Sequence, residues 1–165
     1  FQEHGIAKSV VFGTEPQRVQ VIVLDGRWNR DPLNTVGWLE QQTRRFNAEL
    51  GPYQPNNSGN LLGDEQWQWL AEQLKKPAEV RILMSATPIL SPANGYDSWA
   101  LYQRELTRLK KLLSHYRDGK AFTESRYGQI EVIWKEQPEL VLTLRDVDGR
   151  PLDSRRIPLS QLQPK

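Results

Sequence analysis

Cysteine is absent from all 165 residues. Its absence excludes disulfides, thiolate metal sites and a cysteine nucleophile together, and leaves the redox compartment open. No apolar run approaches the roughly 20 residues that a bilayer-spanning helix requires, so no transmembrane segment is expected. Charge of one sign is lacking too. The formal net charge is +2 and Lys and Arg are scattered along the chain, which argues against a specific nucleic-acid partner. There is no internal repeat and no low-complexity tract. Histidine occurs only at His4 and His115. Neither falls in a recognisable ligand spacing, and each reads as a surface side chain, His115 favouring the dipole at a helix end.

What is present fits a globular chain. Hydrophobic residues make up 38% and charged residues 25%, and the length suits one domain, 1–165, with a sizeable core. The first residue is Phe1 rather than Met, so the expectation is a removed targeting segment or a piece of something longer. The stretch VQVIVLDGRWNRDP changes character within one residue. Val21, Ile22, Val23 and Leu24 read as a strand buried on both faces. Asp25, Arg27, Asn29, Arg30 and Asp31 follow at once, with Gly26 between the first two.

Periodicity orders the rest. Residues 6–12 and 19–24 predict two strands, and the turn-rich GTEPQR between them predicts a hairpin. Residues 34–63 show little periodicity and many turn formers, with a short helix expected around WLEQQTRRFNAEL; a loop this long is more often functional than idle. In LLGDEQWQWLAEQLKK, Asp64 is the expected N-cap. Leu62, Trp67, Leu70 and Leu74 recur at helical spacing, with Glu65, Gln68 and Glu72 facing water and Pro77 closing the helix. A second buried strand is expected at 80–84, and strand, helix, strand in that order suggests a parallel pair. A helix is expected over 98–114, with Leu101, Leu106, Leu109, Leu112 and Leu113 as its apolar stripe and Arg104, Arg108, Lys110 and Lys111 in water. From residue 128 onward the period becomes two, and Asp148-Gly149 signals a hairpin. The fold class is α/β (α+β), with closing antiparallel hairpins.

In open sheets with parallel strands, ligands bind beyond the carboxyl ends of the strands. If the strands at 19–24 and 80–84 are neighbours, Asp25 and Arg27 lie near Thr87 and the Asn94–Trp99 stretch, and form a rim with a carboxylate, a guanidinium and hydroxyls. The same residues also fit a plain ion pair or helix caps, which strand ends commonly carry. Both readings stand at this point. Trp67 and Trp69, two apart on a helix, cannot face the same way, so one packs inward; both read as core.

Four segments, VQVIVLDGRWNRDPL, LLGDEQWQWLAEQL, VRILMSATPIL and YDSWALYQRELTRLKKLL, come in an order that resembles the alkaline phosphatase D family of calcineurin-like metallophosphoesterases. That family shows a strand ending in Leu-Asp-x-Arg, then Leu-Gly-x-x-Gln-Trp-x-Trp-Leu, a short strand, and a Ser-Trp-x-x-Tyr helix ending in leucines. The segments from YGQIEVIW to IPLSQL resemble its closing hairpins, so the likeness covers almost the whole chain. It implies a four-layer sandwich of two mixed sheets between helices. It also implies hydrolysis of phosphate monoesters or diesters by a cluster of calcium, iron, zinc or manganese-class ions, and a periplasmic or secreted location. Arg27 becomes the candidate phosphate contact, since a guanidinium binds phosphate oxygens bidentately. Asp25 would orient it, and Asn94, Tyr96 and Trp99 would form the pocket wall.

The chain departs from the family at its metal ligands. These lie upstream of the first strand and in a Gly-Asp-x-His strand end after the leucine-rich helix. Here KKLLSHYRDGKAFTESRYGQIEV runs from helix to hairpins within a few residues, as though a segment near 114–120 were missing. No metal ligand and no catalytic residue is identified, and this chain alone is expected to be inactive. The implied partners are a phosphate-ester small molecule or phosphodiester, and a missing segment or partner chain carrying the ligands. The alternative is a non-catalytic binding or interaction domain on the same scaffold. A carbohydrate-binding β-sandwich ranks last, because it leaves the helices between the early strands unexplained.

Overall fold

The computed structural model describes residues 5–113 and 127–162. In chain order these form β1 (Lys8–Phe12), β2 (Val19–Leu24), β3 (Asn34–Thr35), α1 (Trp38–Arg44), β4 (Tyr53–Gln54), α2 (Asp64–Lys75), β5 (Val80–Ser85), a 3-10 turn (Trp99–Leu101), α3 (Gln103–Leu112), β6 (Tyr127–Ile133), β7 (Glu139–Arg145) and β8 (Pro151–Pro158). The result is a mixed α/β arrangement of three sheets and three α-helices. His4, His115 and the junction near 114–120 lie outside the described residues. No helix among the described residues is long and apolar enough to cross a membrane.

The first sheet has the order β1-β2-β5. β1 and β2 form the expected antiparallel hairpin, with Lys8 opposite Val23 and Phe12 opposite Val19. β2 and β5 run parallel from the Val19/Val80 pair to the Leu24/Ser85 pair, with α2 as the connection. The third sheet is the meander β6-β7-β8, antiparallel throughout, as the period-two pattern past residue 127 requires. The second sheet is a two-residue ladder of β3 and β4 in the long loop between β2 and β5. α1 has no buried residue, and Trp38, Leu39 and Phe46 are 71%, 74% and 92% exposed.

β2 differs from the sequence expectation. Gln20, Ile22 and Leu24 are fully buried on one face, but Val19, Val21 and Val23 on the other are only half-buried. The helices cover the first face. On the second face Val19 and Ile82 pack against a small cluster of Val80, Leu140 and Leu159, while Phe12 and Met84 stay more than half exposed. A continuous β-branched run therefore serves here for pairing and partial cover, not for double burial.

The main core gathers Ile22, Leu24, Leu61, Leu62, Trp67, Leu70, Trp99, Leu101, Tyr102, Leu106 and Leu109. Trp67 and Trp99 meet edge to face, with centroids 6.3 Å apart and planes at 87°, an arrangement that adds about 1 kcal/mol beyond buried area. The Arg108 guanidinium lies 4.6 Å over the Trp67 ring. Trp69 is half-buried at the margin of this core.

Two helix boundaries fall elsewhere than expected. α2 starts at Asp64 rather than after it, and Gly63 takes the cap position with φ +77° and no side-chain cap. Only glycine suits that place, since a Cβ would lie 2.9 Å from the Cβ of Asn29. Asp64 still favours the helix dipole from the first turn. The expected helix over 98–114 is split. Tyr102 sits at φ −119°, ψ 68°, because its ring is held in the core and its hydroxyl donates to the Asp31 carbonyl at 2.7 Å. Residues 99–101 form a 3-10 turn and α3 begins at Gln103. Leu112, expected in the apolar stripe, is 38% exposed in the last turn of α3.

Candidate functional site

The carboxyl end of β2 is held by a helix side chain. Gln66 on α2 accepts from the Asp25 backbone N–H with Oε1 and donates from Nε2 to the Asp25 carbonyl, both at 2.8 Å. Gln66 is fully buried, so each bond forms away from competing water. The chain then turns sharply around the Asp25 carboxylate. This group is nearly buried and accepts from the backbone N–H of Ile6 at 3.0 Å, Arg27 at 2.8 Å and Trp28 at 3.2 Å. Burial pushes the Asp25 carboxyl up, but the three N–H donors and the nearby Arg27 charge outweigh it, and its pKa lies below the ordinary value.

The loop beyond is tied down in the same manner. Asn29 Nδ2 donates to the Leu62 carbonyl at 3.1 Å. Arg30 Nη1 reaches both oxygens of Asp97, at 2.9 and 2.8 Å. Asp31 accepts from the Asn60 N–H at 2.7 Å and returns its own N–H to the Asn60 carbonyl at 2.9 Å. One layer deeper, Glu105 Oε2 accepts from the N–H groups of Leu61 and Leu62 at 3.0 and 3.2 Å and from Trp67 Nε1 at 2.9 Å. Glu105 is 1% exposed. Its burial is tolerated because three donors meet it.

Arg27 is the exception on this scaffold. Its side chain is exposed, and among the described residues its guanidinium takes no hydrogen bond or ion pair. The Asp25 carboxylate uses Arg27's backbone N–H, so the two do not form a closed ion pair. Beside Arg27, Trp28 is 64% exposed. Gly26, between Asp25 and Arg27, packs on Thr87 at the end of β5, where a Cβ would lie 3.3 Å from Thr87 Oγ1. That hydroxyl is buried and has no partner among the described residues, as is Ser98 Oγ. The ends of β2 and β5 therefore meet, as the parallel order implies.

The other candidates separate. Trp99 is fully buried in the core, its Nε1 donating to Ser85 Oγ at 3.1 Å, so it supports the rim from beneath. Asn94 accepts from the Gly51 N–H through its backbone carbonyl at 2.8 Å. Tyr96 donates from its hydroxyl to the Ala48 carbonyl at 2.8 Å and lines a different cleft of about 370 Å³ with Arg44, Arg45 and Leu50. Neither Asp25 nor Arg27 lines that cleft. Only Arg27 among the five remains available to a ligand through its own charged group.

Sequence reasoning passed over Gln66, Glu105 and Asp97, and singled out Arg30 only as one charge of the run after β2. The signal for Gln66 is positional, since it shares the 66-70-73 stripe of α2 with buried Leu70 and Gln73. Glu105 likewise falls between Tyr102 and Leu109 on the buried stripe of α3. Arg30 and Asp97 lie far apart in sequence and carry no local pattern. Among the described residues no three His, Cys, Asp or Glu side chains are grouped to hold a metal ion. Asp25 and Glu105, the buried carboxylates, already spend oxygens on N–H donors, so the residues at this rim do not fit a metal cluster. No family model, no curated protein and no solved structure matches this chain.

Proposed function

We propose that this chain is the scaffold portion of a metal-dependent phosphate-ester hydrolase of the alkaline phosphatase D type, with Arg27 as its phosphate contact. The observation that carries the reading is the unpaired Arg27 guanidinium at the carboxyl end of a parallel strand pair, on backbone fixed by Asp25 and Gln66. A charged side chain on fixed backbone loses little freedom when it binds. The order of the four sequence motifs supports the same family. In that reading the β1-β2-β5 sheet is part of one mixed sheet of a four-layer sandwich, and the enzyme works in the periplasm or outside the cell. Metal ions of the calcium, iron, zinc or manganese class would supply an activated water. Their ligands belong to another segment or a partner chain, and no hydrolytic step is assigned to the residues here. The second reading, a non-catalytic interaction domain, is favoured by the commitment of both Asp25 and Glu105 to backbone donors.

Titration of the labelled chain with phenyl phosphate, followed by amide resonances, tests the contact. Saturable shifts at Arg27 and Trp28 are expected, lost in Arg27→Ala and partly kept in Arg27→Lys, whose point charge cannot make the fork. The melting temperature of Arg27→Ala should stay near that of the parent, within about 0.5 kcal/mol of stability. Equal shifts in parent and Arg27→Ala would remove the phosphate role. Chelator-sensitive hydrolysis of p-nitrophenyl phosphate by the chain alone would place metal ligands within it.

A further inference from the structure

At the amino ends of β2 and β5, the opposite end of the sheet from Arg27, the β1–β2 turn faces the β6–β7 turn across a cleft of about 610 Å³. Ligand sites span roughly 300–1,000 Å³. The lining joins Glu79, Trp134, Glu136, Gln137 and Ser160 to prolines from both turns.

Its charge is uneven. Glu79 is spent on Arg18, whose Nη2 donates to Oε1 at 2.6 Å and whose Nε donates to both oxygens at 3.2 Å. Glu136 is exposed and has no ion pair among the described residues. Among the described residues the lining therefore holds one charged group without an ion-pair partner, the Glu136 carboxylate. Trp134 shares the lining and is half-buried against Val80, Leu140 and Leu159, so its ring is held in place. Among the described residues the Trp134 indole N–H, the Gln137 amide and the Ser160 hydroxyl make no hydrogen bond. A packed indole and a carboxylate in one lining suit a cation on an apolar stem. Three idle polar groups around it suit a backbone that offers carbonyls and N–H groups, as an extended peptide does.

We propose that this cleft binds an arginine or lysine side chain of an extended peptide, with Trp134 and Glu136 taking the cation. The indole N–H, Gln137 and Ser160 meet the peptide backbone. A neutral sugar would use the same aromatic face but leave Glu136 uncompensated, so the charge favours the peptide. The site is independent of the phosphate reading, since it uses none of the residues around Arg27.

The test follows indole N–H resonances of the full chain, with Trp134 assigned by Trp134→Phe. Three probes are compared: acetyl-Pro-Arg-Pro-amide, the same peptide with neutral citrulline replacing arginine, and agmatine. The arginine peptide should shift the Trp134 signal saturably, and the citrulline peptide and Glu136→Gln should each weaken binding about fivefold. Glu136 is an exposed turn residue, so Glu136→Gln should keep the parent circular dichroism spectrum. Equal binding of the citrulline peptide, or no loss in Glu136→Gln, would overturn recognition of the cation. Agmatine binding as tightly as the peptide would overturn the peptide assignment in favour of a small organic cation. A Trp134 shift with maltose and none with the arginine peptide would overturn the proposal in favour of a sugar.

Discussion

Between Val19 and Leu109 the described chain buries Gln20, Asp25, Gln66, Gln73, Thr87, Ser98 and Glu105 along with core residues such as Ile22, Leu62, Leu70, Trp67 and Trp99; between Gly128 and Leu162 it buries Leu140, Val141 and Leu159 and no polar side chain. The two regions are ordered by different means. Around β2 the buried carboxylates and amides of helices and strand ends meet partners, while the Thr87 and Ser98 hydroxyls do not, and every match fixes a position as well as lowering the energy. In the meander, strand pairing and turns do most of the work. β8 is exposed over nearly its whole length, and its register is set by the ladder to β7 and by the turn at Gly149. Buried polar matching makes a region intolerant of change, whereas a ladder with one half-covered face tolerates side-chain replacement and depends on backbone geometry.

Glu105→Ala should break that contrast hardest. It leaves the N–H groups of Leu61 and Leu62 and the Trp67 indole N–H without their acceptor inside the core. A loss of about 4 kcal/mol is expected from stranded buried donors, read as a fall of the urea midpoint. Glu105→Gln keeps one acceptor oxygen and should recover part of the loss. If Glu105→Ala shifts the midpoint no more than an exposed-site change, polar matching is not what orders this region.

Asp25→Asn comes next, with a cost of about 2 kcal/mol near neutral pH, since a carboxamide meets the three N–H donors less well than a carboxylate. The pH dependence sharpens it. The folded-state pKa of Asp25 lies below its ordinary value, so its contribution is full above the ordinary carboxylate value of about 4 and is lost as pH falls through the lowered folded value. Stability of the parent measured from pH 6 to pH 2 should therefore drop more steeply than that of Asp25→Asn. Parallel curves would count against the carboxylate as the loop's anchor.

The smallest effect is expected in the meander. Gly149 has φ +83° in the β7–β8 turn, and Gly149→Ala should cost about 1 kcal/mol through that backbone conformation alone. Amide exchange should quicken in β7 and β8 and stay unchanged in α2. Equal acceleration in both would show one cooperative unit in place of two differently ordered regions.

The comparison also explains what was legible in the sequence. The hairpin β1–β2, the parallel β2–β5 pair and the meander could be read from apolar period and turn residues, because those patterns record which face meets water. The start of α3 could not. A run of leucines looks helical through Tyr102, and the break comes from a hydroxyl reaching Asp31, 71 residues away in sequence. The candidate rim is half legible. Asp25 and Arg27 stand out as charge after an apolar run, but Trp99, expected in the pocket wall, lies in the core, bonded to Ser85. Gln66 and Glu105 escaped because apolar periodicity counts a polar residue as a gap in the stripe, even where a distant partner makes it part of the core.

Gln66 has a mechanical consequence. Its planar amide stands where the next residue of a neighbouring strand would stand, donating to and accepting from one residue of β2's continuation. The sheet thus gains a rung from a helix. Sliding α2 along the strand would stretch both bonds together, and rolling it would twist the amide out of their common plane. The start of α2 and the end of β2 are thereby tied together, and the direction in which Arg27 leaves the sheet is set by two side chains, the Gln66 amide on the Asp25 backbone and the Asp25 carboxylate on the Arg27 N–H.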